Sequence, residues 1–274
     1  LFIDTEEVLE DDELEHARRD WAGYVKEKSG EGKFTATYGT FLGNEATEFA
    51  RNFFDGIDEI WVEYESPMRT RGFFGRHIAY VWIKKHGDVT GWLNYNIETV
   101  RAGMSPYYTK YGYSELYHDA FLQAQDEARR GERGIWAPGA KAYPDYDRRF
   151  KEWNQRAEQI ALFRERFADD ENVIELGTDT AMARLRGRIG ERVVVFGAVD
   201  RFSPRGRPPK LYLSHRFREN FVIVAPPPIK YDSFGVDLGG EDFVYAEGEV
   251  ELFRGNPQLN LDEKSWVRAG GDPR

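Results

Sequence analysis

Leu1-Phe2-Ile3-Asp4-Thr5-Glu6-Glu7 opens the chain, and the reading of these seven residues decides the reading of the first half. Three apolar residues run straight into four polar ones, as the last residues of a strand do where they leave a sheet. Past them the chain is acidic: residues 1–20 hold nine acidic and two basic side chains. Residues 8–28 place Leu9, Leu14, Trp21 and Val25 at spacings that suit the inward face of a helix, and Ser29-Gly30-Glu31-Gly32 is a turn. Asn44 can cap a helix running to about Phe54, with Ala46, Phe49, Ala50 and Phe53 on one face. Residues 59–65 alternate apolar and charged, the pattern of a half-buried strand. A basic turn follows, Arg69-Thr70-Arg71-Gly72, then a second strand over 77–83 and a hairpin turn at Gly87-Asp88. Ser114 can cap a helix through about Arg133, and 145–168 reads as a further helix with Phe150, Trp153, Ala157, Ile160, Ala161 and Phe167 on two neighbouring stripes.

Composition bounds the function classes. At 274 residues the length prior is two domains of ~150 residues each. Apolar residues at 41% and aromatics at 15% are enough to build cores, which excludes wholesale disorder. A net charge of -10 excludes a globally basic coat protein but leaves room for a local basic patch. No stretch reaches ~18 consecutive apolar residues, so no transmembrane helix and no membrane partner are expected. The absence of cysteine removes disulfides, thiolate nucleophiles and cysteine-type zinc sites. His16, His77, His86, His118 and His215 are scattered without zinc-ligand spacing. The chain starts without Met and reads as trimmed, so an upstream targeting signal lies out of view; secreted and cytoplasmic locations both stay open.

Five segments in order carry a family resemblance. The Asp4-Thr5-Glu6-Glu7 stretch resembles the Asp-Thr-Pro-Glu segment of the thermonuclease family, the staphylococcal (micrococcal) nuclease-like proteins. Tyr38-Gly39 leads to Glu45-Ala46-Thr47-Glu48-Phe49, similar to that family's first long helix. Arg69-Thr70 and Gly75-Arg76 before Ala79-Tyr80 resemble its basic turn and next strand. Val100-Arg101-Ala102-Gly103-Met104 and Glu132-Arg133-Gly134-Ile135-Trp136 resemble its second helix and its terminal Ile-Trp. The resemblance spans about residues 1–137 and implies an α+β first domain over 1–140, an OB-type barrel with packed helices. Because the chain begins at Leu1, the first strands of that barrel, with a second metal Asp and a second phosphate-binding Arg, are expected upstream.

Carried over by motif, the family's roles imply metal binding by Asp4 and Thr5, a general base at Glu7, and a phosphate and transition-state clamp at Arg76. Arg69, Arg71, Tyr108 and Tyr111 fall where the family contacts substrate, as does Tyr107. The chemistry is coherent with that assignment. Attack on a phosphodiester anion needs its charge neutralised and a water activated. Hard oxygen ligands suit Ca²⁺ or another divalent cation, a carboxylate can take the proton, and a guanidinium can grip phosphate bidentately. Two features depart from the pattern: Glu6 replaces the usual Pro, adding charge and loosening the turn, and 8–37 is a longer, charge-rich insertion. Read alone, Asp4-Thr5 would simply cap the following helix, with Glu7 and Glu10 as first-turn acids.

From about residue 172 the period changes to two. Strand signals at 183–201, 210–215, 221–225, 243–253 and 257–267 predict an all-β domain over 171–268, joined by a helical connector at 141–170. The pattern over 180–268 resembles OB-fold nucleic-acid-binding domains, so the fold class is α+β followed by a second small OB-like barrel. Residues 184–218 carry ten basic side chains against Glu191 and Asp200, whereas 219–251 carry eight acidic ones against Lys230. Arg201, Arg205, Arg207, Lys210 and Tyr212, interleaved with Phe202 and Phe217, suit a single-strand track of phosphate contacts and stacking platforms. The other reading of the charges is internal: a structural barrel whose arginines pair with the acidic segment. The functional expectation is a calcium-dependent nuclease acting on DNA or RNA, its second domain holding the strand. The alternatives are a nuclease-fold protein that binds or scaffolds without turnover, and a protein-interaction module.

Overall fold

The computed structural model describes residues 1–30, 36–72, 74–84, 91–167, 170–216, 219–228 and 243–270. The expected turn at Gly87-Asp88, His86, Phe217, Arg218 and Lys230 lie outside the described residues. Contacts divide the chain into two units: Leu1–Glu65 with Ala79–Asn154, and Ser66–Ile78 with Gln155–Arg274.

In the first unit, β1 (Glu7–Val8) pairs in parallel with β2 (Gly39–Thr40). Residues 8–28 form two helices, α1 (Asp11–Arg19) and α2 (Trp21–Ser29), because Asp20 leaves helical geometry and its carboxylate caps α2 by accepting from the Gly23 N–H at 2.9 Å. α1 carries acids in its first turn and bases in its last, aligned with its dipole. α3 (Phe41–Phe54) starts a turn earlier than Asn44 suggests: the Thr40 hydroxyl caps it through Gly43 N–H at 3.1 Å, while the Asn44 side chain accepts from Leu9 N–H at 3.0 Å. β3 (Trp61–Glu63), β4 (Tyr80–Ile83) and β5 (Leu93–Asn94) form an antiparallel sheet in that order. β3 sits at the edge and its apolar residues face solvent, Trp61 at 56% exposure, so the alternation marks a strand but not a buried face.

α4 (Tyr95–Arg101), capped by Asn94, and α5 (His118–Arg130) complete the unit with the first half of α6 (Tyr146–Phe167). Ser114 does not cap α5 directly; its hydroxyl accepts from Tyr117 N–H at 2.8 Å, one residue before the helix. Leu1–Thr5 is not a ladder strand. Its backbone is held instead by Asn96 Nδ2 donating to Leu1 O (2.8 Å), Tyr108 N–H to Phe2 O (3.0 Å) and Asp4 N–H to the Ser105 hydroxyl (2.8 Å). This pinning seats the Phe2 ring in a core with Tyr80, Val100, Tyr107 and Phe121. A second core gathers Leu9, Tyr24, Tyr38, Tyr143 and Trp153.

The second unit is built on a closed barrel. β7 (Arg192–Ser203), β8 (Lys210–Arg216), β9 (Glu219–Val224), β11 (Asn256–Asn260) and β10 (Phe243–Phe253) pair in that ring order, with β10 returning to β7. β9 and β11 run parallel and the other ring pairs antiparallel, the connectivity of an OB fold. β6 (Val173–Glu175) and β12 (Trp266–Ala269) extend the sheet outside the ring. Two expected strands differ. Residues 183–191 are helix and turn, because α7 (Ala181–Arg186) precedes the β-branched run that starts at Val193. Residues 257–267 are two strands, parted by a turn in which the Asp262 carboxylate accepts from Lys264 N–H. The barrel interior is Val195, Leu211, Leu213, Phe221, Ile223 and Leu259, and the later half of α6 packs outside it, Phe163 stacking on Phe196 at 4.1 Å.

Candidate active site and nucleic-acid interface

The acidic opening of the chain separates into two carboxylates with different environments. Asp4 touches solvent, yet surrounding protein displaces much of its water shell; this desolvation, then the neighbouring Glu7 charge, pushes its pKa up to about 6, while Lys110 and Arg149 pull it back. Glu7 is exposed at the start of β1, and its N–H donates to the Tyr143 hydroxyl at 3.4 Å. Glu6, between them, is buried at 4% exposure. It accepts from the Thr40 hydroxyl, from Tyr143 N–H at 2.7 Å and from the Tyr146 hydroxyl at 2.8 Å. Glu6 therefore anchors the turn that its charge is expected to loosen. Burial raises its pKa, and these hydrogen bonds with nearby Arg149 act against that rise.

Thr5 is half-buried beside Asp4. A calcium ion takes about six to eight oxygen ligands. Among the described residues no group of three or more His, Cys, Asp or Glu side chains converges as a metal site. Glu6 is committed to three donors, and the charges Asp4 feels include two cations. The described donor set does not fit a calcium shell.

Tyr108 and Tyr111 lie on either side of Lys110 in the chain. Tyr108 packs edge-on against Trp153 at 4.8 Å within the second core, whereas Tyr111 is 48% exposed with Lys110 Nζ 5.9 Å from its ring centre. The basic turn belongs to the second unit. Thr70 N–H and hydroxyl both donate to the Asp179 carboxylate at 2.7 Å, and Asp179 N–H returns a bond to Met68 O at 2.8 Å. Arg71 donates to Gly75 O at 2.7 Å, closing the turn, with Arg69 on its near limb. Arg76 is exposed, 5.7 Å from the Phe74 ring centre, with no carboxylate partner among the described residues. Asp179 is a residue that sequence spacing could not nominate; it lies 109 positions from Thr70.

On the barrel, the β7–β8 register sets Arg201 opposite Tyr212, and the guanidinium lies over that ring at 4.1 Å. Arg205 and Arg207 are exposed on the connecting turn. Lys210, the first residue of β8, stands 5.8 Å from the ring of Phe253, which is 52% exposed at the β10–β11 turn beside Arg254. Among the described residues the internal-pairing reading is met by Arg192 with Glu247; Asp232, Asp237, Glu241 and Asp242 of the acidic segment lie outside those residues. Arg192 binds Glu247 and Asp262, and Arg188 binds Glu191. Arg201, Arg205, Arg207 and Lys210 have no carboxylate partner among the described residues.

The architecture is thus that of a mixed helix and strand unit followed by an OB-type barrel, with a cation and aromatic strip on the barrel surface. Residues 26–138 match the family described as Staphylococcal nuclease homologue. The span contains Arg69, Arg71, Arg76, Tyr108 and Tyr111; Asp4 to Glu7 precede it. No curated protein matches. Among solved structures, "OBody AM1L10 bound to hen egg-white lysozyme" is similar at 22% identity, over 30% of this chain and 81% of that one, with a TM-score of 0.25.

Proposed function

We propose that this nuclease-fold protein holds single-stranded nucleic acid on the outer face of its barrel. The observation that carries the reading is a set of cations, Arg201, Arg205, Arg207 and Lys210, without carboxylate partners among the described residues, beside Tyr212 and Phe253 on two turns of an OB-type barrel. Guanidinium groups attract phosphate, and a cation beside an aromatic ring makes a platform on which a base can stack. The overall charge of -10 opposes this attraction, so binding is confined to the strip and is salt-sensitive. Fluorescence anisotropy with a labelled single-stranded 20-mer tests it. Replacing Arg205 and Arg207 together by Ala is expected to reduce the salt slope by about 0.7 per lost phosphate contact and to weaken binding about tenfold. Unchanged affinity and slope would refute the strip.

A second reading, phosphodiester hydrolysis, is favoured by one observation: Asp4 and the exposed Glu7 stand close enough in the opening segment for the Glu7 charge to act on Asp4, a pair of carboxylates of the kind that acid–base chemistry uses. In this reading Glu7 takes the proton from the attacking water, and the family resemblance implies a phosphate contact for Arg76. Glu7→Gln is expected to lower release of acid-soluble nucleotides, assayed with calcium present, by about 100-fold or more. Release that survives Glu7→Gln and Arg76→Ala unchanged would remove both residues from the chemistry.

Asp4 also makes a stability prediction. Its folded pKa lies above the ordinary 3.8, so the folded state binds its proton more readily than the unfolded chain. Stability therefore falls as pH rises from near 4 to about 6, and the deficit persists above that range. Asp4→Asn should raise Tm at pH 7.5 and lose that advantage below pH 4, as thermal melts across pH will show.

A further inference from the structure

The first unit contains a groove of about 560 Å³ that neither reading uses. Its walls are α5, the loop 107–113 and the first half of α6. The hydrogen bonds behind it fix how its polar groups face. Gln125 Oε1 accepts from Tyr107 N–H at 3.0 Å, and Asn154 Oδ1 accepts from the Thr109 hydroxyl at 2.9 Å. Both amide oxygens are thus occupied, and both NH₂ groups are left as donors without partners among the described residues. Arg129 lies over two rings, 4.3 Å from the centre of Trp136 and 5.0 Å from that of Phe150, and has no carboxylate partner among the described residues. Asp147 likewise has no cationic partner there, and it is the groove's single carboxylate. Tyr113 and His118, 4.9 Å apart, add an aromatic edge.

The inventory is lopsided. Three donor groups, one of them a cation, call for an oxyanion; one carboxylate calls for hydroxyl or N–H donors on the same ligand; aromatic walls call for a flat apolar face. A bare phosphate or carboxylate leaves Asp147 repelling it, and an apolar ligand leaves all four polar groups unmet. We infer that the groove binds a ribonucleotide unit, with phosphate on Arg129 and the two amides, ribose hydroxyls on Asp147, and the base against Phe150 or Tyr113. The volume lies within the range of small-ligand sites. Carboxylates meet ribose hydroxyls in this way in other nucleotide sites. The groove belongs to the first unit and the strip to the second, and binding in the groove needs no hydrolysis.

Calorimetric titration of the full chain with AMP and dAMP tests it. AMP is expected to bind more tightly than dAMP. Asp147→Asn, at an exposed residue with no structural bond among those described, should remove that preference. Arg129→Ala should weaken both nucleotides about tenfold. Because Arg129 packs on two rings, its variant is accompanied by a thermal melt, and the Asp147 result stands independently of it. No AMP binding at millimolar concentration, or an AMP preference that survives Asp147→Asn, would overturn the assignment. Competition of AMP by a 5′-phosphorylated RNA hexamer would identify a strand end as the source of the ligand; absence of competition would identify the free nucleotide. If AMP fails while the barrel still grips a strand, only this inference falls.

Discussion

Gly103→Ala is expected to destabilise the first unit by about 3–5 kcal/mol, from positive-φ strain together with overpacking against backbone. The reason is a contact between two backbones. Gly103 and Gly134 both have positive φ, +74° and +54°, and a Cβ on either would stand 2.2 or 2.1 Å from a backbone oxygen of the other segment. The Ile135 N–H donates to Gly103 O at 2.9 Å across this approach, locking the end of α4 to the turn after α5. Only backbone fits between them. A methyl group must push the two segments apart and break that bond, which also moves Ile135 out of the second core. Thermal melts should show Tm falling by about 10–15 °C. Gly139 supplies the control: its φ is +75°, but nothing lies within 4 Å of a Cβ there. Gly139→Ala should cost about 1–2 kcal/mol from backbone strain alone. Equal losses in the two variants would show that the close approach contributes nothing.

That contact also explains what the sequence reveals. The segments Val100–Met104 and Glu132–Trp136 stand out because each carries a glycine at positive φ, and a residue type that its own backbone conformation favours is written into the chain. The period-two strands are visible for the same kind of reason: a strand buried on one face writes its alternation into the chain. Boundaries set by distant partners are not visible. Asn44 and Thr40 are both good caps, and the choice between them depends on Leu9, 35 positions away, which claims the Asn44 side chain. Phe2 looks like strand, but the bonds its segment makes go to Asn96, Ser105 and Tyr108 rather than to a ladder. Trp61 looks half-buried because alternation records a strand's two faces and not whether either is covered.

The candidate sites divide along the same line. Arg205 and Arg207 flank a glycine on one short turn, so their exposure follows from local sequence. The groove beside Arg129 draws on three segments between Tyr107 and Asn154, and its polar groups Gln125, Arg129, Asp147 and Asn154 do not stand out in the sequence. What makes it a candidate is the orientation of two amides, which only the folded hydrogen bonds define.

Glu6→Ala is expected to destabilise the first unit by about 3–5 kcal/mol, as the removal of one partner from a buried charged network does. Three buried donors converge on this carboxylate: the Thr40 hydroxyl, Tyr143 N–H and the Tyr146 hydroxyl. Arg149, with its side chain at 6% exposure, lies close enough to lower the Glu6 pKa and is itself bonded to Asp145 at 2.7 Å. Truncation leaves the donors without an acceptor in a space that water does not reach, and leaves Arg149 with one compensating charge fewer. Glu6→Gln separates the two effects. Its carbonyl can still accept from Tyr143 and Tyr146, and its NH₂ can donate to Thr40, so its loss should be about 1–2 kcal/mol. The pH dependence follows from the direction of the shift. Because the folded pKa of Glu6 lies above its ordinary 4.5, wild type gains stability as pH falls through that interval and Glu6→Gln does not, so the gap between them widens toward acid. Denaturant melts at several pH values distinguish the possibilities. A Glu6→Ala variant that unfolds with wild type would mean that the network is ornamental and that β1 and the turn before it are held by the two cores alone.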